Sequence, residues 1–221
     1  MKRICAVLLL IACNASANTI TFEGQPNVMV SNTGDSLTVD NYNFTLNNIL
    51  GGFIGITSQS NIVESNTTKL YGANDSEIVL SKADGGAFDL LDFDVGGMFT
   101  DDPSGPFFSW ASAVTVTGTF AGGGSLSETV NINQSPTYTH VTLAGFSGLS
   151  NVVFAPLPNV DADQWSNPWR RNFTLDNIEV QASRVPDSSS SVELLSIAIV
   201  GLASIRHFRR GTGKRAQSRA W

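Results

Sequence analysis

Between Thr19 and Ala182 the apolar residues come in short alternating runs, and no stretch repeats them at the 3.6-residue interval of an amphipathic helix. Alternation marks a strand with one face buried and one in water. Ile20 and Phe22 start one such run. Val114, Val116 and Phe120 alternate with Thr115, Thr117 and Thr119. Ala121-Gly122-Gly123-Gly124-Ser125 then reads as a hairpin turn, and Leu126, Val130 and Ile132 share a face of the partner strand. Val141 and Leu143 share the next, opposite Tyr138, His140 and Thr142.

Several runs change phase midway. Phe88 and Leu90 keep one parity, while Leu91, Phe93 and Val95 take the other. Leu37 and Val39 precede Tyr42, Phe44 and Leu46 in the opposite phase, and Phe173 and Leu175 are followed by Ile178 and Val180, again shifted. A slip of one residue is what a β-bulge produces. Many short, bulged strands predict an all-β fold of two packed sheets, a β-sandwich or jelly roll, over residues 18–183.

The ends of the chain follow other rules. Lys2 and Arg3, an apolar run over residues 4–12 and the small-residue site Ala15-Ser16-Ala17 stand in the order of a secretory signal peptide. The expected mature chain begins at Asn18, after removal of residues 1–17. A second reading is that Leu10-Ile11-Ala12-Cys13 resembles a lipobox, which makes Cys13 a lipidated N-terminus. Cys5 and Cys13 are the two cysteines of the chain, and both lie in this segment. Cleavage after Ala17 therefore leaves a domain with no disulfide, thiol nucleophile or cysteine-based metal site.

The tail, residues 184–221, has three parts. Val185-Pro186-Asp187 opens a polar stretch with four serines, Ser188 to Ser191. Residues 194–205 carry no charge and are expected to form a short apolar helix. Arg206, His207, Arg209 and Arg210 follow directly. At ~1.5 Å per residue this segment reaches about 18 Å, against a hydrocarbon core of ~30 Å. It is too short for a firm anchor, yet long enough to stall in a membrane with its basic cluster on the cytoplasmic side.

Val185-Pro186-Asp187-Ser188-Ser189, the apolar segment and the arginine-rich end resemble the PEP-CTERM class of bacterial sorting signals, in its VPDSG-type variant, with Ser189 in place of that motif's glycine. The resemblance covers about the last 37 residues. It implies recognition by an exosortase-like membrane protease, with Val185, Pro186, Asp187, Arg206, Arg209 and Arg210 as the sorting residues. It further implies contact with the membrane during sorting and export to the bacterial cell envelope, outer surface or extracellular matrix. The body is similar to ectodomains of the same family, through Gly85-Gly86-Ala87-Phe88-Asp89-Leu90-Leu91-Asp92-Phe93-Asp94, Val114-Thr115-Val116-Thr117-Gly118-Thr119 and Phe173-Thr174-Leu175-Asp176-Asn177-Ile178-Glu179-Val180. Those domains resemble galactose-binding jelly rolls of carbohydrate-binding modules.

That second resemblance implies a structural calcium ion, with Glu23 after the first strand and Asp176 in the last as carboxylate ligands. The other reading of Asp176-Asn177 is a local Asx-type turn. Sugar contact is expected from Trp165, Trp169 and Arg170 in a Pro- and Asn-punctuated loop, with Trp110 from another, since an indole stacks on a sugar ring and its N–H reaches hydroxyls. The same aromatics also suit a packing role at the end of a sandwich.

Charge excludes one class of partner. Residues 18–184 hold 17 Asp and Glu against 5 Lys and Arg, a net of −12, which opposes the basic footprint that nucleic acid requires. Extracellular polysaccharide is the expected partner. Catalysis finds little support. His140 is the one histidine of residues 18–183, no Gly-x-Ser-x-Gly elbow accompanies it, and no phosphate loop is present. Asp89, Asp92, Asp94, Asp101 and Asp102 leave a carboxylate-based glycan-active enzyme as one alternative. A purely structural envelope component is the other.

Overall fold

The computed structural model of the chain describes residues 16–47, 52–58, 67–97, 111–132, 137–157 and 171–183. The chain divides into the compact units Met1–Arg184 and Val185–Trp221, and the described residues all belong to the first. The signal segment 1–15 and the tail 184–221, with its expected apolar helix, lie outside them.

The described residues form thirteen strands: β1 Ala17–Ile20, β2 Val28–Val30, β3 Ser36–Val39, β4 Tyr42–Asn47, β5 Phe53–Thr57, β6 Lys69–Ala73, β7 Glu77–Lys82, β8 Phe88–Gly97, β9 Ala113–Phe120, β10 Ser125–Asn131, β11 Thr139–Thr142, β12 Leu149–Leu157 and β13 Phe173–Ala182. Every pairing is antiparallel. No helix occurs among the described residues, so none there is long and apolar enough to cross a membrane. The all-β expectation holds.

The strands follow one path, β2-β5-β6-β13-β8-β12-β7-β4-β3, with β1 on β13, β11 on β8 and β10 on β9. The path turns a corner between β8 and β12, where Leu149 opposite Phe88 is the one paired position. The corner separates a first half (β2, β5, β6, β1, β13, β8, β11) from a second (β10, β9, β12, β7, β4, β3). Their inner faces form one apolar core. Phe93 of β8 meets Phe154 of β12 edge to face with ring centroids 5.3 Å apart, and Tyr42 of β4 meets Phe88 at 5.6 Å. Phe22, Phe44, Phe88, Phe93, Phe154 and Phe173 are fully buried. Each contributes about 1.5–3 kcal/mol through removal from water.

Two of the three phase changes are bulges. The β13–β8 register shifts between Asp176 and Glu179, where Asn177 takes φ +47°, and β8 slips at Leu91 and Asp92 against it. The third is a correction. Leu37 and Val39 lie on β3, while Tyr42, Phe44 and Leu46 lie on β4, so that phase change is a two-residue hairpin turn rather than a bulge. Asp40 and Asn41 both have positive φ, at +48° and +67°, which is what a tight hairpin turn requires and what Asp and Asn tolerate. The glycine turn between β9 and β10 falls where its sequence puts it, with Gly123 at φ +92° and Gly124 at +88°.

Candidate functional site

β13 changes neighbours halfway along one edge. Residues 178–181 pair with β1, and Phe173, Thr174 and Leu175 pair with β6. The gap between those partners falls at Asp176 and Asn177. Thr67 and Thr68 enter it from one side and Glu23, three residues past β1, from the other. Thr67 Oγ1 donates to Asp176 Oδ2 at 2.9 Å, and the Asn177 amide donates to Asp176 Oδ1 at 2.9 Å. The Thr68 amide donates to Glu23 Oε1 at 3.0 Å. The Asn177 amide is one residue past Asp176 rather than the two of an Asx turn, and the adjacent residues Thr67 and Thr68 tie Asp176 and Glu23 to the same gap.

Asp176 is only 2% exposed, and burial pushes its carboxyl above the ordinary range. The Thr67 and Asn177 donors work against that, while the charges of Asp94 and Glu23 add to it. Lys69 is 0% exposed. Burial pushes its ammonium down, and Asp176 and Glu23 pull it back up. Glu23 and Asp176 supply four of the six to eight oxygens that calcium takes, and Asp176 Oδ1, Asp176 Oδ2 and Glu23 Oε1 each accept a hydrogen bond from within the chain. Among the described residues no group of three or more His, Cys, Asp or Glu is set to hold a metal.

The outer face of the first half carries two parallel rows of side chains. Gly55 is opposite Tyr71, Tyr71 opposite Thr174, and Thr174 opposite Gly96. Tyr138, just before β11, closes this row: a Cβ at Gly96 would lie 3.2 Å from the Tyr138 ring. Two residues along, Thr57 is opposite Lys69, Asp176 opposite Asp94, and Asp94 opposite His140. The first row is aromatic. Tyr71 lies over Gly55, where a Cβ would come within 2.5 Å of its hydroxyl, and meets Phe53 edge to face at 5.9 Å. The second row is ionisable. Asp94 binds His140 Nδ1 through Oδ1 at 2.8 Å and accepts from Asn177 Nδ2 through Oδ2 at 2.8 Å. That hydrogen bond raises the His140 pKa, with Asp92 and Glu179 adding smaller electrostatic contributions. Glu179 is raised in turn because it shares a hydrogen bond with Asp92 across the strands.

The rows are open at one end and closed at the other. His140 and Asn177 are exposed, whereas Lys69, Thr174 and Asp176 are buried. Sequence reading singled out Glu23 and Asp176, which bind the neighbouring residues Thr68 and Thr67, but passed over Phe53, Tyr71, Tyr138 and Lys69. Gly55 and Gly96 were the available signals, because glycine inside a strand marks a close approach.

Trp110, Trp165, Trp169 and Arg170 lie outside the described residues, as do Val185, Pro186, Asp187, Arg206, Arg209 and Arg210. The strand ends that bound the tryptophan-bearing segments are described. Gly97 is opposite Phe173, the Ala111 amide donates to the Asn172 carbonyl at 3.0 Å, and the Ser112 amide to that of Leu157 at 3.3 Å. Segments 98–110 and 158–170 are thus rooted side by side at one end of the sandwich. The β6–β7 turn clamps that end: Asn74 N–H donates to Asn172 Oδ1 at 2.9 Å, and Arg171 Nε lies 2.5 Å from Asp75 Oδ1. The Asp75 side chain is only 9% exposed, and the Asp75 amide also donates to the Arg171 carbonyl at 3.3 Å. Burial pushes its carboxyl up and Arg171 draws it down.

No family model and no curated protein matches the chain. Several solved structures resemble it in strand architecture at low identity. A DUF4465 family protein from Bacteroides ovatus aligns with a TM-score of 0.43 and 10% identity, over 76% of this chain and 99% of that one. A mutant family 29 carbohydrate-binding module complexed with mannohexaose aligns at 0.37 and 13%, over 77% and 94%. CBM51 from Clostridium perfringens GH95, in complex with methyl-galactose, aligns at 0.32 and 9%, over 74% and 99%.

Proposed function

We propose that this chain is an exported, non-catalytic bacterial surface or matrix protein whose β-sandwich binds extracellular polysaccharide, and whose tail is an address read by an exosortase-like membrane protease. One observation carries the binding part. The strands that bound segments 98–110 and 158–170 begin and end together at one end of the sandwich, held by Ala111 on Asn172 and Ser112 on Leu157. Trp110, Trp165, Trp169 and Arg170 belong to those two segments. Aromatic faces suit a sugar chain, which presents apolar ring faces and rims of hydroxyls.

The carboxylates favour binding over catalysis. Asp92 and Glu179 are direct neighbours across β8 and β13, close enough that Asp92 raises the Glu179 pKa. A glycosidase pair stands about 5–9.5 Å apart, with room for the scissile bond between. Asp94 is held by His140 and Asn177, and Asp89 accepts from the Gly148 amide at 2.8 Å. These carboxylates are structural acceptors.

The test is retention of the mature protein on exopolysaccharide from its host, beside a glycan array. Wild type is expected to bind, and the Trp165→Ala, Trp169→Ala double variant to lose at least about tenfold in affinity, since stacked aromatics dominate such contacts. Equal binding by both proteins would move the site away from segment 158–170. No binding by wild type on either surface would leave a purely structural envelope component. The sorting part rests on the order of Val185-Pro186-Asp187, apolar segment and arginines. Intact mass of the protein from its host is expected to lack residues 194–221, and a mature chain that retains them refutes processing.

A further inference from the structure

We propose that Lys69 is the built-in structural cation of the gap where β13 passes from β1 to β6, and that the domain closes this gap without a metal ion. The argument begins with an anomaly of burial. Lysine is almost never fully buried unless its charge is matched, because an ammonium removed from water loses its hydration. Lys69 is 0% exposed and opens β6.

Register shows what lies beside it. Phe173 pairs with Gly72, Thr174 with Tyr71 and Leu175 with Leu70. Asp176 and Lys69 are the next residues along the two strands beyond that ladder. Asp176 is itself 2% exposed, so two ionisable residues flank the same gap, both shut off from solvent. Glu23 adds a second carboxylate, anchored on the Thr68 amide beside Lys69. Thr67 and Asn177 supply neutral donors to Asp176, which orient its carboxylate but do not cancel its charge. Two carboxylates at one gap need a positive charge near them. Lys69 provides one from within the chain, and a divalent ion entering the same field would be repelled by it. Both carboxylates act favourably on the ammonium, and in that sense burial and charge oppose each other at Lys69.

The proposal is independent of polysaccharide binding and is tested by melting, not by ligand. The full mature chain is heated in chelator and again in about 1 mM calcium, a concentration that fills weak extracellular sites. Wild type is expected to melt at the same temperature in both. Lys69→Met is expected to melt lower in chelator by on the order of 10 °C, because it leaves a buried carboxylate without its counter-charge. Adding Asp176→Asn to Lys69→Met is expected to recover part of that loss, as coupled partners do. A wild-type melting temperature that climbs with calcium overturns the proposal. So does a Lys69→Met protein that melts with the wild type. If Lys69→Met does not fold, the pair Asp176→Asn and Lys69→Met with Asp176→Asn decides: a double variant no better folded than Lys69→Met alone also overturns it.

Discussion

On the second half of the sandwich, several outward residues of neighbouring strands meet through neutral, solvent-facing groups, and Glu77 there is held at the surface by the Asn47 side chain. Ser36 faces Thr45 at 2.8 Å, Thr117 faces Ser127 at 2.8 Å, and Thr38 donates to the Asn43 side chain at 2.8 Å. On the first half, the corresponding outward positions hold Lys69, Asp176, Asp94 and His140, beside Tyr71 and Tyr138. The inner faces are alike, and their residues belong to one apolar core. The contrast separates two jobs of one alternating pattern. Inward positions decide that the chain folds as a sandwich. Outward positions are free of that demand, so a half that keeps them largely neutral, with its charges at the surface, is built only to be a sheet in water. A half that spends them on buried charge and on aromatic rings laid over glycine has another constraint to meet, since burying charge is costly.

The largest effect is expected where the halves cannot differ. Phe93 is fully buried and touches Phe154 across the core, so Phe93→Ala removes packing from both at once. Chemical denaturation should show a loss of about 3–5 kcal/mol in one cooperative transition. Two separate transitions would mean that the halves unfold independently, and that comparing them as faces of one core is mistaken.

A smaller effect is expected from crowding the aromatic row. A Cβ at Gly55 would stand 2.5 Å from the Tyr71 hydroxyl and 2.6 Å from the Val28 carbonyl. The carbonyl is backbone and cannot swing aside. Gly55→Ala should therefore cost about 1–3 kcal/mol. It should also disturb Tyr71, visible as a change in near-ultraviolet circular dichroism. A variant as stable as wild type would show that Tyr71 is not fixed over the strand.

Thr117→Ala on the neutral half is the counterpart. It removes one exposed cross-strand hydroxyl pair and leaves no buried group unsatisfied, so about 0.5 kcal/mol is expected. A loss as large as that of Gly55→Ala would erase the distinction between the faces.

The same division explains what could be read from the chain alone. Val114, Val116 and Phe120, or Val141 and Leu143, announce a buried face by spacing, and the core follows. The bulge at Asn177 was visible because it breaks that spacing. The Asp40–Asn41 turn breaks it in the same way, and spacing cannot tell an unpaired bulge residue from a chain reversal; the positive-φ Asp-Asn dipeptide was the distinguishing sign. The site was harder. Glu23 and Asp176 were found by resemblance at both ends of the domain, but Lys69 stands in mid-chain beside Thr67 and Thr68, and nothing local marks a lysine as buried. Its place beside β13 follows from the β6–β13 register, a long-range fact that no window of sequence contains.

The smallest effect is expected at the exposed end of the charged half, and it depends on pH. His140 faces Asp94 on β8 directly, with Asp92 of β8 and Glu179 of β13 nearby. Hydrogen bonding to Asp94 raises its folded pKa above the ordinary 6.5. The folded state therefore holds the imidazolium proton more tightly than the unfolded state does. That contribution is fully present below the unfolded value and fades as pH rises through the folded pKa. The side chain is 62% exposed, so solvent and salt screen the pair and its effect is slight. Denaturation at about pH 5 and about pH 8, in low salt, brackets the transition. Wild type should lose more stability than His140→Gln between those values, and the difference should shrink as salt is added. Glu179 is present in both proteins, so its contribution largely drops out of the comparison. Identical pH profiles would show that the open end of the ionisable row is as inert as the hydroxyl face, and would confine the asymmetry between the halves to the buried end at Lys69 and Asp176.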